Sequence, residues 1–410
     1  MKKIIATGNN PLCGEVTASG SKNAALPILF ATLAVHGRSV IKNLPDIGDV
    51  RVAIEILKGF GAKITRSGTT LTVDTSSVEY RMPPAEQIAK IRASTYLIGA
   101  CLARFGICHL CEFGGCDFAP RPIDLHLLAA QMLGATVEDE LVCAKELRAS
   151  KITLPKISVG ATVNALIMCA TLCGKSEIFG YAKEMHVMNL IDFLRSGGAE
   201  ITVLPDRITV RGKMLVDASV TVIPDMIEAG TYAIGAIASG GDVRVFGADG
   251  VELSPLNRIL SDAGATVEAG DGFIRYTGRI KREIDLLASP APGFPTDLQP
   301  PMAIVLALFR GGRIRDAVFP ERFGYLSALS NFGIRSSVAF SCAHVYPSSP
   351  LHAASVSAPD LRGGAACLLA ALCAEGESVI ASAERIFRGY DSLVKKLTAL
   401  GADVCESGKN

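Results

Sequence analysis

A lysine that follows Gly-Ser and opens an apolar stretch can hold an anion, and this chain has one at Gly20-Ser21-Lys22-Asn23, ahead of Ala24-Ala25-Leu26-Pro27-Ile28-Leu29-Phe30. Small residues let backbone N–H groups approach a ligand, a helix N-terminus adds the positive end of its dipole, and Lys22 adds a point charge. The same four residues serve equally well as a helix cap with a solvated lysine. A second segment, Phe113-Gly114-Gly115-Cys116-Asp117-Phe118-Ala119-Pro120-Arg121-Pro122-Ile123-Asp124-Leu125-His126, places a thiol on a Gly- and Pro-punctuated loop five residues before an arginine. Such a cysteine suits proton donation or nucleophilic attack, its pKa lowered by the cation, although an idle surface cysteine leaves the same trace in a sequence. The third group is dispersed: Asp225 and Glu228 after Pro224, Asp297 in Phe294-Pro295-Thr296-Asp297, Arg322 in Phe319-Pro320-Glu321-Arg322-Phe323, Arg362 in Asp360-Leu361-Arg362, and Arg388 in Arg388-Gly389-Tyr390. Arginine suits bidentate binding of an oxyanion and aspartate suits a general base for a hydroxyl. Taken singly, each reads as a surface ion pair.

The elements that must carry these residues announce themselves through a repeat. Six times a helix end runs into a glycine and then a strand-forming segment: Gly61-Ala62-Lys63-Ile64, Gly134-Ala135-Thr136-Val137, Gly198-Ala199-Glu200-Ile201, Gly264-Ala265-Thr266-Val267, Gly333-Ile334-Arg335 and Gly401-Ala402-Asp403-Val404. The glycines are 73, 64, 66, 69 and 68 residues apart, too regular for unrelated turns and too long for a solenoid repeat of about 20–50 residues. Glycine supplies the left-handed residue that ends a helix, and the branched residues behind it favour an extended strand. The chain therefore reads as six α/β units divided into two threes. The apolar stretch from Asn23 to Val35 is expected to be one buried helix despite Pro27.

Composition removes several classes of function. In 410 residues, 41 Lys+Arg against 40 Asp+Glu leave a formal charge of +1, with no basic block to answer a nucleic-acid backbone. No apolar run reaches the 18 or so residues of a membrane span. Met1-Lys2-Lys3 leads straight into the strand-like Ile4-Ile5 without a secretory h-region, so a cytoplasmic protein is expected. Most of the twelve cysteines sit among aliphatics, where a thiol behaves as a small hydrophobe. Cys108-His109-Leu110-Cys111 has ligand-like spacing but no second pair to complete a metal site, and neither metal nor organic cofactor is expected.

Taken together and in order, Lys22-Asn23 after Gly-Ser, the Gly-Gly-Cys loop ending in Arg-Pro-Ile-Asp-Leu-His, Lys156-Ile157-Ser158-Val159-Gly160-Ala161-Thr162, Phe-Pro-Thr-Asp at 294–297, Asp-Leu-Arg at 360–362 and Arg-Gly-Tyr at 388–390 resemble the UDP-N-acetylglucosamine 1-carboxyvinyltransferase family over essentially the whole chain. The resemblance implies an α/β (α+β) fold: a two-domain inside-out α/β barrel of six β-α-β-α-β-β-type repeats, three per domain. Domain one would be 22–223 with the cysteine loop, and domain two would combine 1–21 with 224–410.

The implied activity is transfer of the enolpyruvyl group of phosphoenolpyruvate to the 3′-hydroxyl of UDP-N-acetylglucosamine, with release of phosphate. That is the first committed step of peptidoglycan synthesis, on which cell-wall biogenesis, cell shape and division depend. By the same resemblance Cys116 protonates C3 of phosphoenolpyruvate and is the site that the epoxide fosfomycin alkylates. Lys22, Arg121 and Arg388 hold phosphate and carboxylate, and Asp297 takes the hydroxyl proton. Substrate contacts extend to Asn23, Arg92, Arg121, Pro122, Ile123, Asp124, Leu125, Lys156, Ile157, Ser158, Val159, Val318 and Arg362. The chain departs from the family pattern at Met226, Ala291, Phe387, His186 and Glu321, and in the loop sequence Asp117-Phe118-Ala119-Pro120. Two alternatives stay open on these grounds: a non-catalytic paralogue that binds UDP-sugar, and the sister transferase acting on shikimate 3-phosphate, which lacks an equivalent Gly-Gly-Cys loop.

Overall fold

The computed structural model describes residues 2–114, 121–248 and 253–408. The chain divides into two units, with boundaries between Ser19 and Gly20 and between Ile223 and Pro224. Each unit buries a hydrophobic core of its own.

The first unit is organised on three apolar helices, α1 (Lys22–Ala31), α2 (Leu97–Phe105) and α3 (Val159–Cys169). The second is organised on α4 (Met226–Ser239), α5 (Gln299–Leu308) and α6 (Leu361–Cys373), which pack on one another. Nine of eleven residues of α3 and twelve of thirteen of α6 are buried, as expected of helices apolar on every side. Peripheral helices such as Ser254–Asp262, which buries only Leu256 and Leu260, keep a polar face.

Among the described residues each unit has three larger sheets, and the second unit adds a two-stranded parallel pair, Leu351–His352 with Ala374–Glu375. In the first unit Leu215–Thr221, Val35–Lys42, Thr70–Asp74 and Lys63–Ser67 make one sheet; Ile107–His109, Leu141–Cys143 and Thr136–Glu138 a second; and Glu200–Val203, Arg207–Arg211, Lys175–Phe179 and Lys151–Thr153 a third. The second unit repeats the scheme with Ala265–Ala269, Phe273–Gly278, Asp242–Phe246 and Cys13–Thr17, then Ile284–Ala288, Gly312–Asp316, Cys342–Val345 and Ser336–Ala339, then Ser355–Ser357, Glu377–Ala381, Lys3–Thr7 and Asp403–Ser407.

The six glycines mark these sheets. All have positive φ, 91°, 99°, 116°, 109°, 86° and 92° in chain order, a region that an L side chain enters only with strain. At four of them the next N–H closes back on the helix, Ala62 to Leu57, Ala135 to Ala130, Ala199 to Leu194 and Ala402 to Leu397, at 3.0–3.2 Å. The first five turns lead into a strand that pairs antiparallel with the strand following it. The sixth differs: Asp403–Ser407 pairs with Lys3–Thr7, so residues from the start of the chain complete the last repeat.

Two local expectations change. The segment from Asn23 to Val35 is not one helix: α1 ends at Ala31, Thr32–Ala34 form a 3-10 turn, and Val35 begins a strand. Thr32 assists the stop, because its hydroxyl donates to the Leu29 carbonyl at 2.6 Å. Gly333 follows a 3-10 turn, Ser330–Phe332, rather than an α-helix.

Candidate active site

In the first unit polar chemistry gathers where the inner helices begin. Ser21 caps α1, its hydroxyl accepting from the Ala24 N–H at 3.4 Å, and Ser158 caps α3 by accepting from Ala161 at 3.3 Å. Lys22 is not a solvated lysine. Its ammonium lies 2.9 Å from Asp49, and the two side chains are 14% and 5% exposed. Asp49 opens the helix Gly48–Gly59 and escaped sequence reasoning, because nothing local distinguishes it from an acidic residue favouring a helix N-terminus. Asn23 is half-buried in the first turn of α1.

Arg92 begins a 3-10 turn, Arg92–Tyr96, that packs against α1 and α3. Its guanidinium donates to the carbonyls of Arg121 and Phe113, the latter at 3.4 Å. Burial, then the neighbouring charge of Arg121, holds the Arg92 pKa below the usual arginine range. Two guanidinium groups that repel in a partly desolvated place are stabilised by an anion bound between them. Pro122 and Asp124 are exposed, Ile123 is half-buried, and Leu125 is buried in the first turn of the helix Asp124–Met132.

His126, one residue further, links this helix to α3. Its Nδ1 lies 2.6 Å from the Asn164 side-chain nitrogen, and its ring fills the space above Gly160, where a Cβ would stand 2.5 Å from Cε1. Burial, assisted by Arg92, pushes the imidazole down to about 4, so it is neutral at pH 7. Beside it, Lys156 and Ile157 are exposed on the approach to α3, while Ser158 and Val159 are half-buried at its start. The structure thus brings Arg92, the 121–125 segment and the 156–159 segment together. Cys116 lies outside the described residues.

In the second unit Asp225 and Asp360 cap α4 and α6, each accepting two backbone N–H groups at 2.8 and 3.0 Å. Asp297 sits in the 3-10 turn Thr296–Leu298 that feeds α5. Its Oδ1 accepts from Arg322 at 2.8 Å and its Oδ2 from Arg362 at 3.0 Å. Those arginine side chains are 3% and 2% exposed, whereas Asp297 is 26% exposed. The carboxylate is therefore held by two buried cations while staying partly exposed itself. Burial opposes the charge on Arg362, but Asp297, Tyr390 and Asp225 outweigh it and raise its pKa. The guanidinium also lies over the Tyr390 ring at 5.3 Å, and Tyr390 meets Thr231 at 2.9 Å.

Arg388 is half-buried two residues before Tyr390. Val318 spends its N–H on Asp316, at 2.8 Å. Among the described residues no group of three or more His, Cys, Asp or Glu side chains is placed to hold a metal ion. No described helix is long and apolar enough to cross a membrane.

Three inner helices and three larger sheets in each unit, with Arg92 beside Arg121 in one and a guanidinium-clamped carboxylate in the other, go with the fold of the enolpyruvyl transferases. The solved enolpyruvyl transferase NikO from Streptomyces tendae superposes with a TM-score of 0.88 at 27% identity, covering 100% of this chain and 99% of that one. EPSP synthase from Acinetobacter baumannii shares the fold at a TM-score of 0.74 and 16% identity, covering 99% and 100%. The family model for EPSP synthase (3-phosphoshikimate 1-carboxyvinyltransferase) matches residues 6–397. UDP-N-acetylglucosamine 1-carboxyvinyltransferase 3 from Caldanaerobacter subterraneus is 39% identical, over 98% of this chain and 99% of its own length. A second relative, UDP-N-acetylglucosamine 1-carboxyvinyltransferase 2 from Staphylococcus aureus, is 37% identical over 98% of each. The chain belongs to the UDP-N-acetylglucosamine 1-carboxyvinyltransferase family.

Proposed function

We propose that this protein, acting in the cytoplasm, transfers the enolpyruvyl group of phosphoenolpyruvate to the 3′-hydroxyl of UDP-N-acetylglucosamine and releases phosphate. The Asp297 clamp carries this reading. A carboxylate fixed by two buried arginines and itself partly exposed suits removal of a proton from an acceptor hydroxyl, where proximity and orientation matter more than basicity. The repelling pair Arg92 and Arg121 suits the diphosphate of a nucleotide sugar. Lys22 in the first unit and Arg388 in the second are each suited to an oxyanion such as the phosphate or carboxylate of phosphoenolpyruvate, and Arg362 holds Asp297 in its orientation.

In this mechanism Cys116 delivers a proton to C3 of phosphoenolpyruvate, C2 becomes electrophilic, and the sugar oxygen adds there as Asp297 takes its proton. The tetrahedral ketal then expels phosphate and returns a C3 proton to the Cys116 thiolate to give the enol ether, while the proton held by Asp297 leaves with phosphate or to water. The pathway role in cell-wall synthesis follows from that product.

Phosphate release from the purified protein tests the reading directly. Release is expected with phosphoenolpyruvate and UDP-N-acetylglucosamine together, and with neither alone. Silence with both substrates, accompanied by UDP-sugar binding, would establish the non-catalytic paralogue instead. Turnover with shikimate 3-phosphate in place of the nucleotide sugar would move the chain to the sister activity that the matched family model names. Incubation with fosfomycin and UDP-N-acetylglucosamine is expected to add the mass of one fosfomycin at Cys116, and an unchanged intact mass contradicts the role given to that thiol.

A further inference from the structure

Asp316 has no part in the chemistry above, yet four donors converge on it. It ends the strand Gly312–Asp316 and is 3% exposed. Its Oδ2 accepts from the Thr296 hydroxyl and from the Gln299 amide at 3.3 Å. Its Oδ1 accepts the Val318 and Phe319 N–H groups, both at 2.8 Å.

Each donor leads to the site. Thr296 immediately precedes Asp297, and its hydroxyl and carbonyl both receive Arg322 Nη1 at 3.2 Å. That same Nη1 grips Asp297 at 2.8 Å. Gln299 begins α5 and donates as well to the Arg322 carbonyl at 3.3 Å. Because the Thr296 proton points at Asp316, the hydroxyl's lone pairs face Arg322, which fixes the direction of every bond in the chain.

We propose that Asp316 is a positioning residue: one buried carboxylate sets the turn that aims Asp297 at the acceptor hydroxyl and the shape of the Val318–Phe319 loop against the nucleotide. The inference rests on the transferase reading. Only a group that accepts on both oxygens meets the requirement. An asparagine has the right size, but whichever way its amide turns, an N–H₂ faces either Thr296 and Gln299 or the two loop N–H groups, and donor meets donor.

Steady-state phosphate release separates the possibilities. Asp316→Asn is expected to lower kcat by about 10²-fold, the effect of displacing a reacting group by about an ångström, and to raise the KM for UDP-N-acetylglucosamine. Thr296→Val, which keeps shape but removes the hydroxyl, is expected to lower kcat with less change in KM, and Thr296→Ser to restore it. Asp285→Asn, which breaks exposed pairs with Arg313 and Arg315 on the same sheet, is the unchanged control.

If the wild type is active and folded Asp316→Asn matches it within twofold in both kcat and KM, the inference falls while the transferase reading stands. An inactive wild type removes both. Should Asp316→Asn fail to fold by thermal melting, the Thr296 pair decides, since equal activity of the Val and Ser variants overturns the proposal.

Discussion

The two units share one architecture but wire their charges differently. In the first, serines cap α1 and α3, and two groups of charge lie nearby: Lys22 paired with Asp49, and Arg92 on the Arg121 carbonyl. In the second, aspartates cap α4 and α6, a third carboxylate precedes α5, and two buried guanidiniums lock onto it. A serine cap adds no charge and leaves the positive end of the helix to an incoming anion, whereas an aspartate cap neutralises it locally. One unit is thus made to receive anions and the other to hold a carboxylate in place. The same scaffold thus occurs twice with different residues at its helix caps.

Four experiments can break or sharpen this contrast, the first being the largest in effect. Asp297→Asn keeps the size of the clamped side chain but removes the base, so kcat is expected to fall by about 10²–10⁴-fold, and thermal stability to fall as well because two buried guanidiniums lose their counter-charge. A comparable loss from an aspartate cap such as Asp360→Asn, in which asparagine still caps the helix, would show that the clamp is not special.

Each unit next has a buried lysine–carboxylate pair: Lys22 with Asp49, and Lys396 with Glu228 at 2.5 Å, where Glu228 is 2% exposed. Replacing either lysine by Met strands a buried carboxylate and is expected to destabilise by about 3–5 kcal/mol in urea unfolding. Only Lys22→Met should also abolish phosphate release. Loss of activity in both variants would erase the distinction between them.

Acid should act on the units in opposite senses. Folded His126 takes a proton only near pH 4, the unfolded chain near 6.5, so the unfolded state binds the extra proton between these values. The first unit keeps its stability above pH 6.5 and loses about 3 kcal/mol as pH falls to 4. Burial raises the Glu228 pKa, with Lys396 opposing, so its contribution is greatest in acid and is lost as pH rises through the folded value. Melting curves of wild type and His126→Gln between pH 4 and 7 test this; identical acid sensitivity would remove His126 as its source.

The mildest perturbation is Gly134→Ala in the first unit beside Gly401→Ala in the second. Both glycines have positive φ and no atom closer than 3.6 Å to an added Cβ, so backbone strain alone should lower stability by about 1–2 kcal/mol in each. Unequal losses would mean that the repeats are not equivalent in energy.

The repeat was legible in the sequence because a left-handed turn demands glycine whatever surrounds it. The cap at Ser21 was legible for a similarly local reason, whereas Ser158 entered only as a substrate contact implied by resemblance and is a cap in the structure. What remained hidden depends on residues far apart in the chain. Asp49 and Asp316 are ordinary acidic residues until folding sets Lys22 beside one and Thr296 beside the other. The stop at Ala31 was hidden by a run of apolar residues that suits a buried helix and a buried strand alike, and only the pairing of Val35–Lys42 with Thr70–Asp74 and Leu215–Thr221 decides between them. Asp297 was legible as an acid at a turn, but its two arginines, 25 and 65 residues away, were not legible as its partners.

The strand Lys3–Thr7, lying between Glu377–Ala381 and Asp403–Ser407, ties the schedule of synthesis to the fold. A ribosome adding about 5–20 residues per second makes this strand first and its last partner some 400 residues later, a wait of about 20–80 s. For most of that interval Ile4 and Ala6, fully buried in the finished protein, lack both the strand Glu377–Ala381 and the helix α6 that pack on their strand. That strand thus waits longer for its partners during synthesis than any other described strand.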